Sequence, residues 1–494
     1  MKKTRIFPLI LALCLFFALT APVAQALDAP ELDAQAVILV DLDSGLILYE
    51  KNMLQERSPA SLTKVMTLLL ALEAVDRGEA SLDDVVTAGV DCQQGMGDDS
   101  SSVYIVAGEQ MTLRDLLYCA AVSSGNDACN VIASYLGNGI SNFVDRMNDK
   151  AAALGCTASR FVDPNGLSND DLSSAYDLYL ITREAMRYPL FMEICDTISY
   201  TVPATNLNAA RELKNSNALL TPDGIYGAGY VYEYASGIKT GYTRAAGYCL
   251  ISTAEKDGVH LLGIVMGCPG PYIADTDTRY NFVDTAKLFD WAFENFSYRS
   301  VVTTEDQLAS AYIAIAQSGG DTGLHQQFEL SLSREEGKRY FDAVPLYPQR
   351  SLSVLMPGDV TPGTEDLRIA LTDKAVAAPI TAGTVLGEAT VYLNGTPLGS
   401  VRLVAGKNID LPRGEYLRMR LSAFFSNRWV VIILVVILVL LLAYLVLVIR
   451  YRRLRRKHLR QRKLAEQRRR ELARQREEAA AREGEAKPFD EDLF

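Results

Sequence analysis

Histidine is scarce in this chain, with three copies in 494 residues. His458 lies in a basic C-terminal segment, His325 in the second half of the chain, and His260 at the start of an apolar run typical of a strand. A Ser-His-Asp triad needs a histidine beside its nucleophile, and histidine-rich zinc sites need several close together. The sequence offers almost no material for either site, so a general base must be another residue type.

Cysteine lacks the spacing of a redox or metal-binding motif. No Cys-x-x-Cys pair occurs among the eight cysteines, and an odd number remains once Cys14, in the N-terminal apolar run, is set aside. The others, such as Cys119 and Cys249, lie mostly in apolar helix-like or strand-like surroundings, which favours small core residues. We therefore expect no disulfide framework, no metal site and no cofactor.

The body of the chain lacks a net positive charge, whereas its C-terminal end has one. Residues 27–449 contain 30 basic and 51 acidic residues, whereas residues 450–494 contain 16 basic and 9 acidic residues. An acidic body repels a phosphate backbone, which argues against nucleic acid as a partner. The basic end follows an apolar run, so its expected role is to set orientation in a membrane and to contact anionic lipid.

Long uncharged runs occur near both ends of the chain. Residues 1–26 combine a basic start, an apolar run from Ile6 to Leu19 and the sequence Ala24-Gln25-Ala26, which together are typical of a cleaved signal peptide. Trp429–Ile449 gives 21 residues without a charge, and at about 1.5 Å per residue such a helix spans roughly 30 Å, the thickness of a bilayer core. We predict a transmembrane helix over this run, with the basic tail (450–494) in the cytoplasm and the body outside.

Ser61 and Lys64 form the first pair that suggests chemistry. They lie in a stretch where Pro59 and small residues favour the first turn of a helix. If a helix begins near Ala60, residues three apart share one face, and the N–H groups at the helix N-terminus favour developing negative charge. A nucleophile, a base and an anion site would then lie close together.

Lys64 can act as that base only if its pKa is lowered. A free lysine titrates near 10.4, so a neutral amine at pH 7 needs a drop of roughly 3 units, or about 4 kcal/mol. Burial lowers the pKa of a lysine, and a second ammonium group such as that of Lys239 acts in the same direction. Two lysines near one serine therefore have a physical rationale.

Two further motifs follow Ser-x-x-Lys in the chain. Ser124-Gly125-Asn126 comes after a helix-like apolar segment and offers a hydroxyl and an amide in a tight turn. Lys239-Thr240-Gly241 lies in a strand-like stretch whose glycines allow a ligand to approach the backbone closely. The order Ser-x-x-Lys, Ser-x-Asn and Lys-Thr-Gly is the three-part signature of penicillin-recognising serine enzymes.

The distribution of strand-like and helix-like runs predicts an α/β catalytic domain over 27–299. Strand-like runs such as Ala36–Asp41 and Val259–Met266 occur at both of its ends, with helix-like segments between them. This pattern predicts an antiparallel sheet closed by the N- and C-terminal parts. From 300 to 415, short alternating runs and the hairpin signal Asn394-Gly395 predict a small all-β domain, whose expected role is a spacer above the membrane.

The motifs, the signal peptide, the β domain and the anchor together resemble the serine-type D-alanyl-D-alanine carboxypeptidases, which are low-molecular-mass penicillin-binding proteins. The resemblance extends over about residues 30–415. It implies an α/β fold of the penicillin-binding/β-lactamase-like type, followed by the all-β domain and one transmembrane helix. It also implies an extracytoplasmic enzyme of the bacterial cell membrane that acts on peptidoglycan stem peptides ending in D-Ala-D-Ala and binds β-lactam antibiotics.

The resemblance implies roles for the residues of the first two motifs. Ser61 would be the acyl-forming nucleophile, and Lys64 would take its proton. Ser124 would relay a proton during acylation or the departure of D-alanine, while Asn126 would hold the substrate's amide. The stretch Asn165-Gly166-Leu167, with Ser174-Ala175-x-Asp177 after it, resembles the family's loop beside the site.

The third motif would supply the substrate side of the site. Lys239 would support the relay serine and the local electrostatics, and Thr240 would bind the terminal carboxylate. The backbone N–H of Tyr242, with that of the nucleophile, would form the oxyanion hole, and Gly241 belongs to the same substrate-binding stretch. Arg279 resembles the family's carboxylate-side arginine.

Two other functions stay open at this point. A β-lactamase-type hydrolase shares the three motifs but commonly uses a glutamate to activate the deacylating water, and no glutamate lies between Glu109 and Glu184. A non-catalytic wall-binding membrane protein, as an inactive relative, would not need Ser61, Lys64 and Lys239 intact. Release of D-alanine and a stoichiometric penicillin label would distinguish a carboxypeptidase from both.

Overall fold

The computed structural model describes residues 28–222, 228–315, 327–338, 340–358, 360, 367–377, 379–410 and 428–484, together with five isolated positions between 411 and 427. The predicted signal peptide lies outside the described residues. The chain forms two compact units. The first contains the chain up to Asp306 with Pro348–Ala370 and Glu388–Leu403, and the second contains Gln307–Tyr347, Leu371–Gly387 and the chain from Val404.

The chain between residues 28 and 302 combines short strands with helices. Its strands are β1 (Ala36–Asp41), β2 (Ile47–Lys51), β3 (Val85–Thr87), β4 (Gln110–Thr112), β5 (Ser199–Val202), β6 (Arg211–Lys214), β7 (Ala235–Thr243), β8 (Gly247–Lys256), β9 (Val259–Cys268) and β10 (Phe296–Val302). Its α-helices are α1 (Lys64–Asp76), α2 (Leu113–Ala121), α3 (Asn126–Gly137), α4 (Ile140–Ala153), α5 (Ala175–Ala185), α6 (Pro189–Cys195) and α7 (Tyr280–Asn295).

Five of these strands form one antiparallel sheet in the order β2-β1-β9-β8-β7. β1 pairs with β9, so that Val37 lies opposite Val265 and Leu39 opposite Gly263. Two strands near the N-terminus thus complete a sheet whose other strands come after residue 234, which confirms the predicted closure by the N- and C-terminal parts. β7 carries the Lys-Thr-Gly motif and is an edge strand beside β8.

Alternate residues of β1 point to opposite faces of the sheet and enter two separate cores. Ala36, Ile38 and Val40 belong to the core that helices α1 to α6 cover. Val37 and Leu39 belong to the core on the other face, which α7 covers with its apolar side. The sheet is therefore a middle layer between a group of helices and a single helix.

Helix α1 lies in the interior of the helical layer. Its residues are buried from Lys64 to Ala74, on every side of the helix. The sequence explains this, because the run from Leu68 to Leu72 contains leucine or alanine at each position, and a helix that is apolar all round belongs inside a protein. The packing of the whole layer consequently fixes the N-terminal end of α1, next to Ser61.

The later strands form an all-β domain, as predicted. They are β11 (Ala309–Ile315), β12 (Gln327–Ser331), β13 (Tyr340–Pro348), β14 (Leu352–Pro357), β15 (Leu367–Leu371), β16 (Ala375–Ala377), β17 (Val385–Leu393) and β18 (Thr396–Ala405). All but β14 join one sheet in the order β15-β17-β18-β13-β11-β12-β16, while β14 pairs with β10. The predicted hairpin at Asn394-Gly395 joins β17 to β18. The predicted boundary at 299/300 falls within β10, and its position stays a prediction.

One helix, α8 (Arg428–Gly484), contains the predicted transmembrane run and most of the basic tail. Within the described part of the chain, it is the one helix long and apolar enough to cross a membrane, by length and composition. Its apolar side chains, such as Leu438 and Leu447, are exposed, and a bilayer supplies the apolar surroundings that such a surface requires. From Glu466 onward the sequence is rich in arginine, glutamate, alanine and glutamine, which predicts a helical or disordered segment, and it is helical as far as Gly484.

Candidate active site

Ser61 and Lys64 meet where a 3₁₀ turn, Ala60–Thr63, runs directly into α1. Residues three apart are eclipsed in a 3₁₀ turn, and Lys64 Nζ donates a hydrogen bond to Ser61 Oγ at 2.7 Å. The predicted placement on one face is confirmed, although the first turn is 3₁₀ rather than α-helical. Ser61 keeps part of its surface exposed, whereas Lys64 is fully buried.

Three acceptors surround the amine of Lys64. Besides its bond to Ser61, Nζ donates to Asn126 Oδ1 at 2.6 Å and to the carbonyl oxygen of Asn165 at 2.7 Å. An ammonium group has three donors, so each of them has a partner inside the protein. Burial lowers the pKa of Lys64, and this fall is opposed by the Cys129 thiol and by three nearby carboxyl groups. The balance favours a neutral amine more than in a free lysine.

Lys239 lies close enough to Lys64 for their charges to interact. It is on β7 and is 1% exposed. Burial lowers the pKa of Lys239 to about 7, and repulsion from Lys64 contributes to this fall. Its Nζ donates to the carbonyl oxygen of Thr240 at 3.2 Å. The sequence predicted both causes for Lys64, where burial is the one that lowers the pKa; at Lys239, burial and the charge of Lys64 act together.

Ser124 and Asn126 lie at the turn between α2 and α3. Ser124 is buried and has a φ of 59°, a left-handed conformation that is costly for a residue other than glycine and is common at functional sites. Asp127 supports this turn, because its carboxylate accepts hydrogen bonds from the N–H groups of Val103 and Ile105. Asn126 was expected to bind the substrate's amide, and the structure adds that its Oδ1 accepts from the buried lysine of α1.

Two glycines let the backbone close around Ser61. A Cβ atom on Gly241 would lie 3.2 Å from the backbone nitrogen of Ser61, which is tighter than ordinary contacts. Gly166 has a φ of 78°, and a Cβ atom there would overlap the carbonyl group of Ala60. The glycine of the Lys-Thr-Gly motif was expected to admit a ligand, and the structure shows that it also admits the protein's own backbone. The N–H of Tyr242, the residue after Gly241, stays the predicted second donor to an oxyanion.

Two carboxyl groups hold the loop that supplies the carbonyl group of Asn165. Asp163 accepts from the N–H groups of Asn165 at 2.9 Å and Ser168 at 2.7 Å. Asp171 is fully buried and accepts from the N–H of Val162 at 2.6 Å. Burial raises the pKa of Asp171 to about 8, with a further contribution from Asp163. The sequence predicted a loop beside the site here, but not its direct contact with the lysine.

A hydroxyl that belongs to none of the motifs also reaches the site. Ser216 Oγ lies 2.6 Å from Thr240 Oγ1, and either atom can be the donor. The two residues are 24 positions apart, and Ser216 lies in an irregular stretch after β6. No sequence signal marks this serine, and none of the three motifs predicts it.

Arg279 lies immediately before α7, at the edge of this region. Its guanidinium carbon is 5.8 Å from the centre of the Tyr248 ring. That ring in turn lies 4.4 Å from the ring of Tyr242, its neighbour across β7 and β8. The structure thus connects Arg279 to the third motif through two aromatic rings, and its contact with a substrate carboxylate stays a prediction.

His260 lies in a surface group of ion pairs on β9. Its Nδ1 is 3.0 Å from Asp43 Oδ2, and its Nε2 is 3.2 Å from Glu255 Oε1. Burial lowers the pKa of His260, but hydrogen bonds with the two carboxylates outweigh this effect and raise it overall. His260 thus pairs with surface carboxylates and lies on β9, the strand predicted from the apolar run that it begins. His325 lies outside the described residues, and the cysteines from Cys92 to Cys268 are free.

Comparison with known proteins identifies the arrangement. The family model for D-alanyl-D-alanine carboxypeptidase matches residues 23–270, half of the chain. The chain belongs to the D-alanyl-D-alanine carboxypeptidase family. It is accordingly a serine peptidase, and the resemblance inferred from the three motifs is confirmed. A second family model, for the C-terminal domain of penicillin-binding protein 5, matches residues 333–411 in the all-β domain.

Individual members of the family match over different lengths. The chain is 31% identical to D-alanyl-D-alanine carboxypeptidase DacF of Bacillus subtilis over 53% of its own length and 63% of that protein. It is 28% identical to DacC of Escherichia coli over 80% of its length and 90% of that protein. The structure of penicillin-binding protein 5 from Haemophilus influenzae covers 77% of this chain and 99% of its own, with 26% identity and a TM-score of 0.56. The α/β domain followed by an all-β domain is therefore the fold of this family.

Proposed function

We propose that this protein removes the terminal D-alanine from peptidoglycan stem peptides through an acyl-enzyme on Ser61, and that β-lactam antibiotics acylate the same serine. The observation that carries the proposal is the 2.7 Å distance between Ser61 Oγ and Lys64 Nζ, at a lysine whose pKa is lowered by burial. A hydroxyl group beside an amine of lowered pKa is an activated nucleophile.

Acylation would begin with transfer of the Ser61 proton to neutral Lys64 while Oγ attacks the carbonyl carbon of the penultimate D-alanine. The N–H groups of Ser61 and Tyr242 would stabilise the oxyanion, next to the N-terminal end of α1. The close approach of Gly241 to the serine nitrogen supports this arrangement. The C–N bond then breaks, the leaving amine of D-alanine takes a proton through Ser124, and the acyl group stays on the serine as an ester.

Hydrolysis of that ester by water would restore the free hydroxyl of Ser61 and release the shortened peptide. Lys239 has a pKa of about 7, so a large fraction of it is protonated at neutral pH. It would supply positive charge for the substrate's terminal carboxylate, to which Thr240 would donate a hydrogen bond. These two groups would thus bind the free carboxylate at the end of a peptide. A peptide bond within a longer chain has no such carboxylate.

The β-lactamase alternative needs a carboxylate that activates the deacylating water. The loop beside the site offers Asp163 and Asp171, and both accept hydrogen bonds from backbone N–H groups. Asp171 has no exposed surface.

The inactive-relative alternative is disfavoured because Ser61, Lys64 and Asn126 form one connected set of hydrogen bonds. Carboxypeptidase activity is therefore the function that the site supports best.

We also propose that α8 anchors the enzyme in the bacterial cell membrane, with the catalytic domain outside and the tail in the cytoplasm. The support is the uncharged run Trp429–Ile449, followed by nine lysine or arginine residues between Arg450 and Lys463. Positively charged segments next to a span remain on the cytoplasmic side.

Release of D-alanine from diacetyl-Lys-D-Ala-D-Ala tests the proposed reaction. The full chain in detergent should release D-alanine, and Ser61→Ala should not, because it lacks the nucleophile. Penicillin should leave one adduct, which mass spectrometry should place on the peptide containing Ser61. An adduct that persists in Ser61→Ala, or a folded wild type that releases no D-alanine, would contradict the proposal.

A further inference from the structure

Ser216 is a buried hydroxyl in a rigid part of the backbone. It follows β6, is 9% exposed, and lies between two buried asparagines. Asn215 Nδ2 donates to the carbonyl oxygen of Cys195 at 3.1 Å, and Asn217 Nδ2 donates to that of Gly237 at 2.6 Å. These bonds fix the backbone on both sides of the serine, so its position is determined by the fold rather than by its own side chain.

Ser216 also connects the two sides of the site. Its N–H donates to the carbonyl oxygen of Val122 at 3.1 Å, two residues before Ser124. Its hydroxyl oxygen lies 2.6 Å from Thr240 Oγ1 on β7. One residue therefore contacts both the segment that carries the relay serine and the strand that carries Lys239 and Thr240.

The number of protons on the two hydroxyl groups restricts which of them can donate the hydrogen bond between them. Each hydroxyl has one proton to donate, so Thr240 cannot donate to Ser216 and to a bound carboxylate at the same time. When Thr240 donates to a carboxylate, the hydrogen bond between the two side chains requires Ser216 to be the donor. Such a chain polarises the threonine hydroxyl and strengthens its bond to the anion.

We propose that Ser216 is a positioning residue for the substrate's terminal carboxylate: its hydroxyl donates to Thr240 Oγ1 and directs the Thr240 proton to the carboxylate. The inference rests on the proposed function, because it requires a peptide substrate with a free C-terminus. It assigns part of the preference for a free carboxylate over a C-terminal amide to a residue outside the three motifs.

The test compares the full chain in detergent with its Ser216→Ala variant on diacetyl-Lys-D-Ala-D-Ala and on the same peptide with a C-terminal amide. Loss of one hydrogen bond that acts on a charged group should lower kcat/KM for the carboxylate peptide about tenfold, mainly through KM, and change the value for the amide by less than about twofold. Ser216→Thr keeps the hydroxyl and should restore most of the loss. Ser199→Ala is a matched control on the exposed side of β5 and should change neither value.

The outcomes separate this role from a structural one. An equal fall for both peptides, or an unchanged kcat/KM for the carboxylate peptide, would overturn the role of Ser216. If thermal unfolding shows that Ser216→Ala is not folded, Ser216→Cys, which keeps the volume but donates weakly, should show the same selective loss. A folded wild type that cleaves neither peptide contradicts the proposed function and this role with it. An active wild type with an unselective variant contradicts the role alone.

Discussion

Two groups of basic side chains in this protein have opposite surroundings, since one is buried and the other is exposed. In the active site, Lys64 and Lys239 are 0% and 1% exposed. In α8, the nine basic residues between Arg450 and Lys463 are all exposed. Burial lowers the pKa of both site lysines, because a charge is costly away from water. The same residue types are thus desolvated groups of lowered pKa in the interior and solvated charges on the helix.

The partners of the basic groups differ in the same way. Lys64 has three fixed acceptors within 2.7 Å. On α8, Arg470 lies 3.7 Å from Glu466, one turn away, a solvent-exposed ion pair of a type that contributes little to stability. We therefore expect single substitutions to have large effects in the site and small effects on the helix.

Removing Lys64 should have the largest effect. Among the described residues, Lys64 supplies the side-chain group that is hydrogen-bonded to Ser61 Oγ, so Lys64→Ala should lower the rate of acylation by penicillin by about 10²–10⁴-fold. The rate is measured with a fluorescent penicillin, and thermal unfolding checks that the variant is folded. His260→Ala is the control and should keep most of its activity, since His260 only pairs with surface carboxylates. A folded His260→Ala variant without activity would point to a histidine base instead.

Lys239 should make the stability of the protein depend on pH, because its pKa differs between the folded and the unfolded state. Its pKa is about 7 in the folded protein and near 10.4 in an unfolded chain. Between these values the unfolded state binds more protons, so the free energy of unfolding should rise as the pH increases from about 7 to about 10. In Lys239→Met this contribution, of about 2–4 kcal/mol, should be absent. Melting temperatures of the two proteins across this pH range provide the measurement, and parallel curves would show that Lys239 is not the cause.

Removing α8 should have the smallest effect on catalysis. No catalytic motif follows Gly241, so residues 27–415 alone should be soluble and should release D-alanine at a rate close to that of the full chain. A folded but inactive 27–415 fragment would show that the anchor takes part in the chemistry.

In intact cells, external protease should remove the catalytic domain and leave an epitope on the tail protected. Cleavage of that epitope from outside would reverse the proposed orientation.

Local patterns in the sequence predicted much of the fold and the centre of the site. Ser61 and Lys64 are three residues apart, and such a spacing specifies their contact as soon as a helical turn forms. Hydrophobic runs likewise predicted β1 and β9, whose residues are almost all buried. In these cases the residues that determine the local structure lie within a few positions of each other in the sequence.

The remaining contacts depend on parts of the chain that are distant in sequence. The carbonyl group of Asn165 binds Lys64 across 101 residues, and a backbone carbonyl has no side-chain signature that could announce it. Ser216 reaches Thr240 because the folded chain places the stretch after β6 against β7, which no motif records. Gly241 was identified as a point of close approach, but its neighbours, the backbone of Pro59 and Ser61, became evident only in three dimensions.

The three acceptors around Lys64 also determine where its lone pair points. A neutral amine keeps two N–H donors and gains one lone pair. The oxygen atoms at Asn126 and Asn165 have no proton to give, so they take the two N–H groups. Ser61 Oγ carries the one proton in this set that can move to nitrogen, and the lone pair therefore faces it. In the proposed mechanism the amine would therefore need no rotation between its base and acid roles, and the proton would cross the same 2.7 Å distance in both directions.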